Sequence, residues 1–235
     1  LVKGDLGTSL RTKRPVLTEV QGRYMNTVQL TLLSLTWSVI AGVLIGVWSG
    51  RNRSKWQDYT GMTVAVSGIS MPSFWIGFML IMVFAVKYRL LPTTGAGSFK
   101  NLILPSITLG VSIAAIIARF TRSSVIEVLK EDYVRTARAK GLREKTVIWK
   151  HVFRNCMISV VTVVGLQFGF LLGGSVVTET VFAFPGLGSL LIESVNYRDY
   201  PAIQSLILIF SLHFVLINLV VDVLYAVLNP EIQLS

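Results

Sequence analysis

The residues best suited to polar chemistry lie in one stretch, residues 132–155, which separates strongly apolar parts of the chain. A short basic segment held between membrane spans can dock on a partner protein and transmit the motion of that partner. An ordinary basic loop in the cytoplasm would have the same composition, so composition alone leaves both interpretations open. The eight basic or titratable side chains are Arg135, Arg138, Lys140, Arg143, Lys145, Lys150, His151 and Arg154.

The order of residues predicts that this stretch folds as a helix, a turn and a second helix. Asp132 begins the first helical pattern and Lys140 ends it, and both charges suit the helix dipole. Gly141 follows, and glycine readily takes the left-handed conformation that closes a helix. A second helical pattern starts near Arg143. We therefore expect a helix–glycine–helix element between two membrane spans.

A second set of polar side chains lies inside apolar segments. Pro72 removes a backbone donor and should interrupt the helix around it. Ser67, Ser70 and Ser73 either face a cavity that the broken helix lines or satisfy the backbone groups that the break frees. Gln167 either contributes to a conduction path or bonds to another helix, because an amide within a membrane needs a partner or water.

Two further titratable groups, His213 and Asp222, lie in the last apolar segment. No second histidine or carboxylate is near His213 in the sequence, so we expect it to be hydrogen-bonded within the helices rather than bound to a metal. For Asp222, pairing with a cytoplasmic base is favoured over a proton relay. Together with Gln167, these groups motivate an alternative, a proton-coupled transporter that works without other subunits.

The sequence holds no pattern that binds a nucleotide or assembles a hydrolase. It has no G-x-x-x-x-G-K-[ST] phosphate loop, no H-E-x-x-H and no G-x-S-x-G. Two histidines and one cysteine are too few for a metal centre, and Cys156 alone cannot form an internal disulfide. We therefore expect no catalytic residue, no bound metal and no cofactor in this chain, and a membrane-embedded enzyme is the weakest alternative.

The elements that would position these residues are membrane helices. Hydrophobic residues make up 52% of the chain and charged residues only 14%, and the mean hydropathy is +0.64. Five apolar runs each reach the roughly 18 residues that cross about 30 Å of hydrocarbon as a helix. We predict an all-α polytopic membrane bundle, a single domain over residues 1–235, with spans at about 27–49, 60–87, 102–122, 155–177 and 201–226.

Basic residues are unevenly distributed between the two sides of these spans. One side holds 13 Lys and Arg residues, ten of them in residues 119–154, against 9 on the other side. Because basic loops stay in the cytoplasm, residues 130–152 should be cytoplasmic, and residues 1–23 and 178–200 extracytoplasmic. The net charge of +10 then follows from topology and does not indicate nucleic-acid binding. An outside start, with Leu1 in place of a Met, leads us to expect a further helix before residue 1.

Small residues recur at every fourth position of the first span. This spacing places them on one helical face, where another helix can approach closely, and packing is the favoured role. The third span continues as an amphipathic helix into the cytoplasm, where Arg119 and Arg122 are expected to snorkel to the interface rather than to line a pore. The small residues are Ser34, Ser38, Gly42, Gly46 and Gly50.

The 178–200 loop contains its own structural signals. Pro185 and Gly186 predict a turn, and an amphipathic pattern predicts a short helix near residues 187–195. An element of this kind could cap the outer mouth of a path through the membrane.

The basic stretch also resembles a known motif. The heptapeptide RTARAKG that ends at Gly141 is similar to the EAA coupling loop, E-A-A-x-x-x-G, of ATP-binding-cassette (ABC) importer permeases. Ala137 and Gly141 match the second Ala and the Gly, whereas Arg135 and Thr136 replace the Glu and the first Ala. The downstream I-x-L-P is replaced by HVFR at residues 151–154. These departures are typical of the peptide-importer branch of the family.

The resemblance covers essentially the whole chain. Four other segments look like the matching parts of dipeptide, oligopeptide, glutathione and nickel permeases, and they occur in the same order. Three apolar runs, residues 62–70, 166–175 and 218–230, look most like glutathione permeases. The four segments are GDLGTSL (4–10), MPSFWIG (71–77), ETVFAFPGLG (179–188) and RDYP (198–201).

The resemblance implies a type I ABC importer permease with six helices, of which the first would precede this chain. A second homologous permease would pair with it, and two ATP-binding subunits would bind ATP and Mg²⁺. An extracytoplasmic protein would deliver the substrate, and the subunit would lie in the lipid bilayer of the bacterial inner membrane. The resemblance assigns ATPase coupling to Asp132, Tyr133, Arg135, Thr136, Ala137, Arg138, Ala139, Lys140, Gly141, Leu142 and His151, and a gate-like role to Phe182, Pro185, Gly186, Arg198 and Asp199.

The substrate stays open at this level. Di- and oligopeptides or glutathione would need a roomy, polar-lined path, which Ser67, Ser70, Ser73 and Gln167 could offer. A nickel complex could use a similar path. A self-sufficient proton-coupled transporter is the alternative from a different class, and it predicts gradient-driven flux through the chain alone.

Overall fold

The computed structural model describes residues 6–228, apart from the side chains of Ile158, Ser159, Leu172, Gly174, Asp222 and residues 224–228. This part of the chain is helical, with no strand beyond an isolated bridge between Thr8 and Pro15, so the prediction of an all-α fold is confirmed. Wider π-helical turns extend α3 over Ile81–Lys87 and join α6 to α7 over Val147–Val152. The helices are α1 (Val16–Arg51), α2 (Trp56–Ser70), α3 (Ser73–Leu80), α4 (Phe99–Val128), α5 (Asp132–Ala139), α6 (Glu144–Thr146), α7 (Phe153–Val181), α8 (Leu187–Asn196) and α9 (Tyr200–Leu228).

Within the described residues, three helices are long and apolar enough to cross a membrane, and two bent helix pairs raise the number to five if each pair is one span. The upper number equals the number of spans predicted from the sequence. Helix ends depend on caps and turns rather than on hydropathy, so α1 begins at Val16, well before the predicted span. The three helices are Val16–Arg51, Phe99–Val128 and Tyr200–Val221, and the pairs are Trp56–Ser70 with Ser73–Lys87 and Glu144–Met157 with Val160–Leu171.

The helices contribute to two compact units. In the first unit, an apolar cluster joins α1 to α8 and α9, and it holds the short helix α8 against the two long ones. Its buried members are Val16, Val20, Leu187, Leu190, Ala202 and Leu206. The first unit comprises residues 6–35, 71–110 and 168–217, and the second comprises residues 36–70, 111–167 and 218–228.

The second unit is built around a close contact between α1 and α4. A Cβ atom at Gly42 would lie 2.7 Å from the carbonyl oxygen of Ala114, and one at Gly46 would lie 2.6 Å from that of Ala118. Both distances are well inside van der Waals contact, so only glycine permits this approach. Of the small residues predicted to pack against another helix, Gly42, Gly46 and Gly50 therefore pack against α4.

Pro72 interrupts the second apolar run, as predicted. α2 ends at Ser70 and α3 begins at Ser73, and Pro72 between them is extended, with φ −59° and ψ 137°. Proline has no N–H to donate to the residue four positions earlier. The carbonyl of that residue, Gly68, instead lies 3.4 Å from the hydroxyl oxygen of Ser112 on α4, which donates to it.

Candidate functional site

The basic loop (residues 130–152) has the predicted helix–glycine–helix form. Gly141 follows α5 in the left-handed conformation, with φ +76°, and its N–H donates to the carbonyl of Arg138 at 2.9 Å. No atom lies within 4 Å of the position that a Cβ of Gly141 would occupy. The glycine is therefore required for its backbone conformation and not for lack of space.

One face of α5 is anchored in an apolar core. Val134 is fully buried and Ala137 is 5% exposed. The methyl group of Ala137 thus packs in the apolar core. A partner protein would therefore have to contact the other face of α5. The buried members of this core are Val125, Val134, Ala137, Val147, Ile148, Val152 and Cys156.

The exposed surface of the basic loop combines large hydrophobic side chains with charged ones. Three large hydrophobic side chains, Tyr133, Leu142 and Trp149, are 41%, 41% and 48% exposed among the cations. Exposed apolar side chains within a charged surface are typical of protein interfaces. The other exposed residues of the predicted coupling set are Asp132, Arg135, Thr136, Arg138, Ala139, Lys140 and Gly141.

An ion pair closes the turn of the basic loop. The Nη2 and Nε atoms of Arg138 donate to the two carboxylate oxygens of Glu144 at 2.8 and 3.2 Å, which links α5 to α6 across Gly141. Asp132 and Arg135 form a second pair at 3.2 Å, but their side chains are 94% and 76% exposed. Such an exposed pair contributes little to stability, so both charges are available to a partner.

A polar contact holds α5 against the start of α7. The side-chain amide of Asn155 donates to the hydroxyl of Tyr133 at 2.9 Å and to the carbonyl of His151 at 2.8 Å. Burial, opposed by this hydrogen bond, raises the pKa of the Tyr133 phenol, so Tyr133 is neutral at physiological pH. His151, from the predicted coupling set, lies half-buried in the π-helical turns beside this contact.

The four residues predicted to line a path lie on three different helices, α2, α3 and α7. The hydroxyls of Ser67 and Ser70 are exposed and donate to carbonyl groups one turn earlier in α2, at 2.8 and 3.0 Å. Neither hydroxyl fills the backbone gap at Pro72, which is the role of Ser112. Ser73 on α3 and Gln167 on α7 are partly exposed. The path role of these four residues stays a prediction.

The 178–200 loop contains the predicted turn and helix. Most of the residues predicted to form a gate are buried within this loop. α8 begins at Leu187, directly after the turn. Among the residues assigned a gate-like role, Phe182 is 1% exposed and Asp199 is 2% exposed, and Gly186 is also buried. Pro185 is half-buried, and Arg198 is exposed with a positive φ of 54°. Three of the five therefore stabilise the loop from within.

Glu179, which sequence reasoning missed, organises this loop. Its carboxylate is fully buried and accepts hydrogen bonds from the Thr27 hydroxyl at 2.7 Å and the Ser189 N–H at 2.9 Å. The Thr27 oxygen in turn accepts from the N–H of Leu187 at 2.8 Å, so two side chains satisfy the free N–H groups at the start of α8. A Cβ at Gly186 would lie 2.3 Å from the carboxyl carbon of Glu179, which explains the glycine in the FPGLG sequence.

A group of contacts that we name the clasp ties the segment before α1 to the end of this loop. The Ser9 hydroxyl donates to the buried carboxylate of Asp199. Arg11 and Arg23 both donate to the carboxylate of Glu193, each at 3.1 Å. The clasp therefore pairs Arg11 and Arg23 with the carboxylate of Glu193, and it holds the carboxylate of Asp199 through hydrogen bonds from Ser9 and from backbone N–H groups.

The clasp also sets the ionisation of its carboxylates. Burial alone would raise the pKa of Glu193, but the hydrogen bond from Arg23 and the charges of Arg23 and Arg11 lower it below its usual range. Burial likewise opposes ionisation of Asp199, and hydrogen bonds from Ser9 and from three backbone N–H groups outweigh it, so the pKa of Asp199 is also lowered. Both groups are negatively charged at neutral pH.

His213 is hydrogen-bonded within the helices, as predicted. Its Nδ1 atom lies 2.7 Å from the carbonyl of Ile209, and its Nε2 atom lies 2.6 Å from the hydroxyl of Tyr24. Because a carbonyl oxygen can only accept, Nδ1 carries a hydrogen and donates to Ile209, and Nε2 shares the second hydrogen bond with the Tyr24 hydroxyl. Among the described side chains, no group of three His, Cys, Asp or Glu residues is arranged to hold a metal ion. The side chain of Asp222 lies outside the described part of the chain.

Comparison with known proteins identifies the family. Residues 42–234 match the family described as binding-protein-dependent transport system inner membrane component. The chain is 57% identical over 232 residues to the glutathione transport system permease protein GsiC of Escherichia coli strain K12, covering 99% of this chain and 76% of GsiC. It is 56% identical over 233 residues to the protein of the same name from Pectobacterium atrosepticum, with the same coverage of both chains, 99% and 76%.

Solved structures show the same fold at low sequence identity. An inward-facing structure of the MetNI methionine ABC transporter matches with a TM-score of 0.78 and 17% identity, covering 91% of this chain and 97% of that one. An amino acid ABC transporter crystallised with histidines matches with a TM-score of 0.71 and 16% identity, covering 89% and 94%. These neighbours confirm the type I permease fold predicted from the sequence.

The family match extends over most of the chain, and the similar permeases align with nearly all of it. The chain therefore belongs to the family of inner membrane components of binding-protein-dependent transport systems, and it is a transmembrane permease subunit of an ABC importer.

Proposed function

We propose that this subunit forms part of the translocation path of a peptide-type importer in the bacterial inner membrane, and that ATPase subunits drive it by docking on the basic loop. The observation that carries the coupling proposal is the exposed surface of the basic loop, which presents Tyr133 of α5, Leu142 of the turn and Trp149 of the π-helical turns together with several cations. A rigid, partly apolar and basic surface can bind a groove with complementary charge.

The packing of the basic loop supports transmission of motion through it. α5 is tied to α7 by the apolar core around Val134 and by the Asn155–Tyr133 hydrogen bond. α6 also runs through π-helical turns directly into α7, with no intervening loop. Movement of a partner bound to α5 would therefore reach a membrane-spanning helix. In an alternating-access cycle, approach of two ATPase subunits would favour one arrangement of the helices, and hydrolysis would release it.

The substrate we propose is a short peptide, with glutathione as the first candidate. Its support is the 57% identity to a permease named for glutathione transport. The proposed complex contains a second homologous permease, two ATP-binding subunits that hold ATP and Mg²⁺, and an extracytoplasmic substrate-binding protein. The chain itself would hydrolyse nothing.

The docking proposal is tested by co-purification of the full-length protein with its ATPase subunits. We expect Leu142→Asp, which places a carboxylate on the exposed face, to reduce retention of the ATPase and glutathione uptake together. The matched control is Leu90→Asp, the same change at a residue that is 64% exposed outside the basic loop. Equal ATPase retention in wild type, Leu142→Asp and Leu90→Asp, with unchanged uptake, would overturn the docking role.

A further inference from the structure

One polar face of α4 takes no part in the packing of this chain. Arg119, Ser123 and Glu127 recur at every fourth residue and are all exposed. This spacing places the three side chains on one side of the helix. Within the described residues neither Arg119 nor Glu127 has an ion-pair partner, and the guanidinium carbon of Arg119 lies 5.8 Å from the ring centroid of Phe120.

The opposite face of the same helical turns is fully used. Thr121 and Val125 are completely buried, and they pack against Gly46 and Gly50 of α1, respectively. Arg122 lies on the same side of the helix as Arg119, but its charge is used in packing, because it donates to the buried carboxylate of Asp58 at 2.5 and 2.8 Å. The contrast shows that the charges at Arg119 and Glu127 are not needed to hold the helix in place.

The exposed face has the chemistry of a site for a short peptide. A depression of about 520 Å³ lies over it, lined by Arg119, Phe120, Ser123, Ser124 and Glu127. The cation and the carboxylate are eight residues apart, which is about 12 Å along a helix axis. A tripeptide is roughly 10 Å long when extended, with a carboxylate at one end and an ammonium group at the other.

We propose that this face is a transit site for zwitterionic peptides within the translocation path. Arg119 binds the terminal carboxylate, Glu127 binds the terminal ammonium group, and the hydroxyl of Ser123 hydrogen-bonds to the peptide backbone between them. The proposal rests on the proposed function, since it assumes that the chain conveys peptides. It revises the expectation that Arg119 snorkels at the membrane interface.

Weak binding suits such a site. Charge pairs in contact with water contribute little, so a peptide held by Arg119 and Glu127 leaves again readily. The exposed placement of the two charges is therefore consistent with passage rather than storage.

The first test measures uptake by the complete importer complex in liposomes. The probes are trialanine, its C-terminal amide, which lacks the carboxylate, and its N-acetyl derivative, which lacks the ammonium group. We expect Arg119→Gln to reduce the preference for trialanine over the amide by about threefold to tenfold, and Glu127→Gln to do the same for the N-acetyl derivative. Because every variant uses the same binding protein, selection by that protein cancels in the comparison.

The matched control variant is Lys100→Gln, which removes an exposed charge near the other end of α4. It should leave both preferences at the wild-type value. If Arg119→Gln and Glu127→Gln also leave them unchanged while trialanine is transported, this inference is wrong and the proposed function stands. If the wild-type complex transports neither trialanine nor glutathione, the proposed function fails and this inference fails with it.

A second test asks what covers the face in the assembled complex. Ser123→Cys is treated with a charged maleimide, and the one native cysteine, Cys156, is only 1% exposed and gives little background. We expect Ser123→Cys to be labelled, and millimolar trialanine to slow labelling by about threefold. Labelling that trialanine does not slow would overturn the proposal, as would complete protection without peptide, which would show that another subunit or lipid covers the face.

Discussion

Asp58 is a buried carboxylate that forms an ion pair with Arg122. It is 3% exposed, and besides the two hydrogen bonds from Arg122 it accepts one from the N–H of Ser54 at 3.0 Å. A buried charge is tolerated only when it is paired and hydrogen-bonded, and loss of one partner leaves the other uncompensated. The pair therefore fixes how the start of α2 meets α4.

We expect Arg122→Gln to destabilise the protein by roughly 2–4 kcal/mol, because Asp58 would remain buried without a counter-charge. Arg119→Gln removes the same charge one turn earlier at an exposed position and should cost less than about 0.5 kcal/mol. Thermal unfolding of the detergent-solubilised variants measures the difference. Equal melting temperatures for the two variants would show that the pair does not contribute to stability.

Several buried polar residues escaped prediction for a common reason. Asp58 bonds to a residue 64 positions away, and Glu179 bonds to Thr27, 152 positions away. Because these partners are so distant in the sequence, local residue spacing does not predict which side chains bond to each other. One signal for Glu179 was present, since it is the only charged residue between positions 155 and 192. A lone charge within so long an uncharged run needs a specific partner.

At the level of elements, the turn of the basic loop depends on one backbone conformation. We expect Gly141→Ala to strain the left-handed turn by about 1–2 kcal/mol and to reduce the glutathione uptake obtained per ATP hydrolysed. Gly141→Asn should retain most coupling, because asparagine enters this conformation more easily. The measurement is the ratio of uptake to hydrolysis in liposomes.

A matched control separates backbone strain from the loss of a glycine as such. Gly173→Ala introduces the same methyl group at an exposed helical glycine with no atom within 4 Å. It should not lower the coupling ratio. If Gly141→Ala couples as well as Gly173→Ala, the conformation of the turn is unimportant.

The contact between α1 and α4 is the second element-level feature that a substitution can test. A Cβ at Gly46 would lie 2.5 Å from the Cβ of Thr121, and the nearby carbonyl of Ala118 cannot move aside easily. We expect Gly46→Ala to cost about 1–3 kcal/mol in thermal unfolding. Gly22→Ala, in the same helix with nothing within 4 Å, should be neutral or slightly stabilising. If Gly46→Ala and Gly22→Ala are equally stable, α1 and α4 can move apart to admit the methyl group without a loss of stability.

The sequence predicted these elements better than it predicted the faces they present. The break at Pro72 and the turn at Gly141 depend on local chemistry and were predicted at the right residues, whereas α1 begins at Val16, before the predicted span. The burial of Ala137 was not predicted, because a coupling motif identifies residues without saying which side of the helix is anchored. The role of Ser112 at the Pro72 break was likewise hidden, since it comes from another helix.

On the scale of the whole chain, the clasp makes one unit sensitive to pH. Because the folded pKa values of Glu193 and Asp199 are lowered, their stabilising contribution is complete above the ordinary carboxyl range, about pH 4, and is lost as pH falls through the folded values. We expect the clasp to be closed from neutral pH down to about pH 5 and to open below about pH 4.

Spin labels at Arg14→Cys and Asn196→Cys, both exposed positions, would report this opening as an increased distance. Ser9→Ala removes the hydroxyl that donates to Asp199, so the pKa of that carboxyl should rise and the transition should move to higher pH. A distance that stays constant to pH 3 in both forms would contradict the predicted sensitivity.

The clasp also has a consequence for how the protein is made. Ser9 and Asp199 are separated by 190 residues, and a ribosome that adds about 5–20 residues per second needs roughly 10–40 s to synthesise that length. For much of this interval Arg11 and Arg23 have been synthesised while their counter-ion, Glu193, does not yet exist. A nascent chain that stops before residue 193 lacks the counter-ion of both cations, so closure of the clasp requires a polypeptide that extends at least to Asp199.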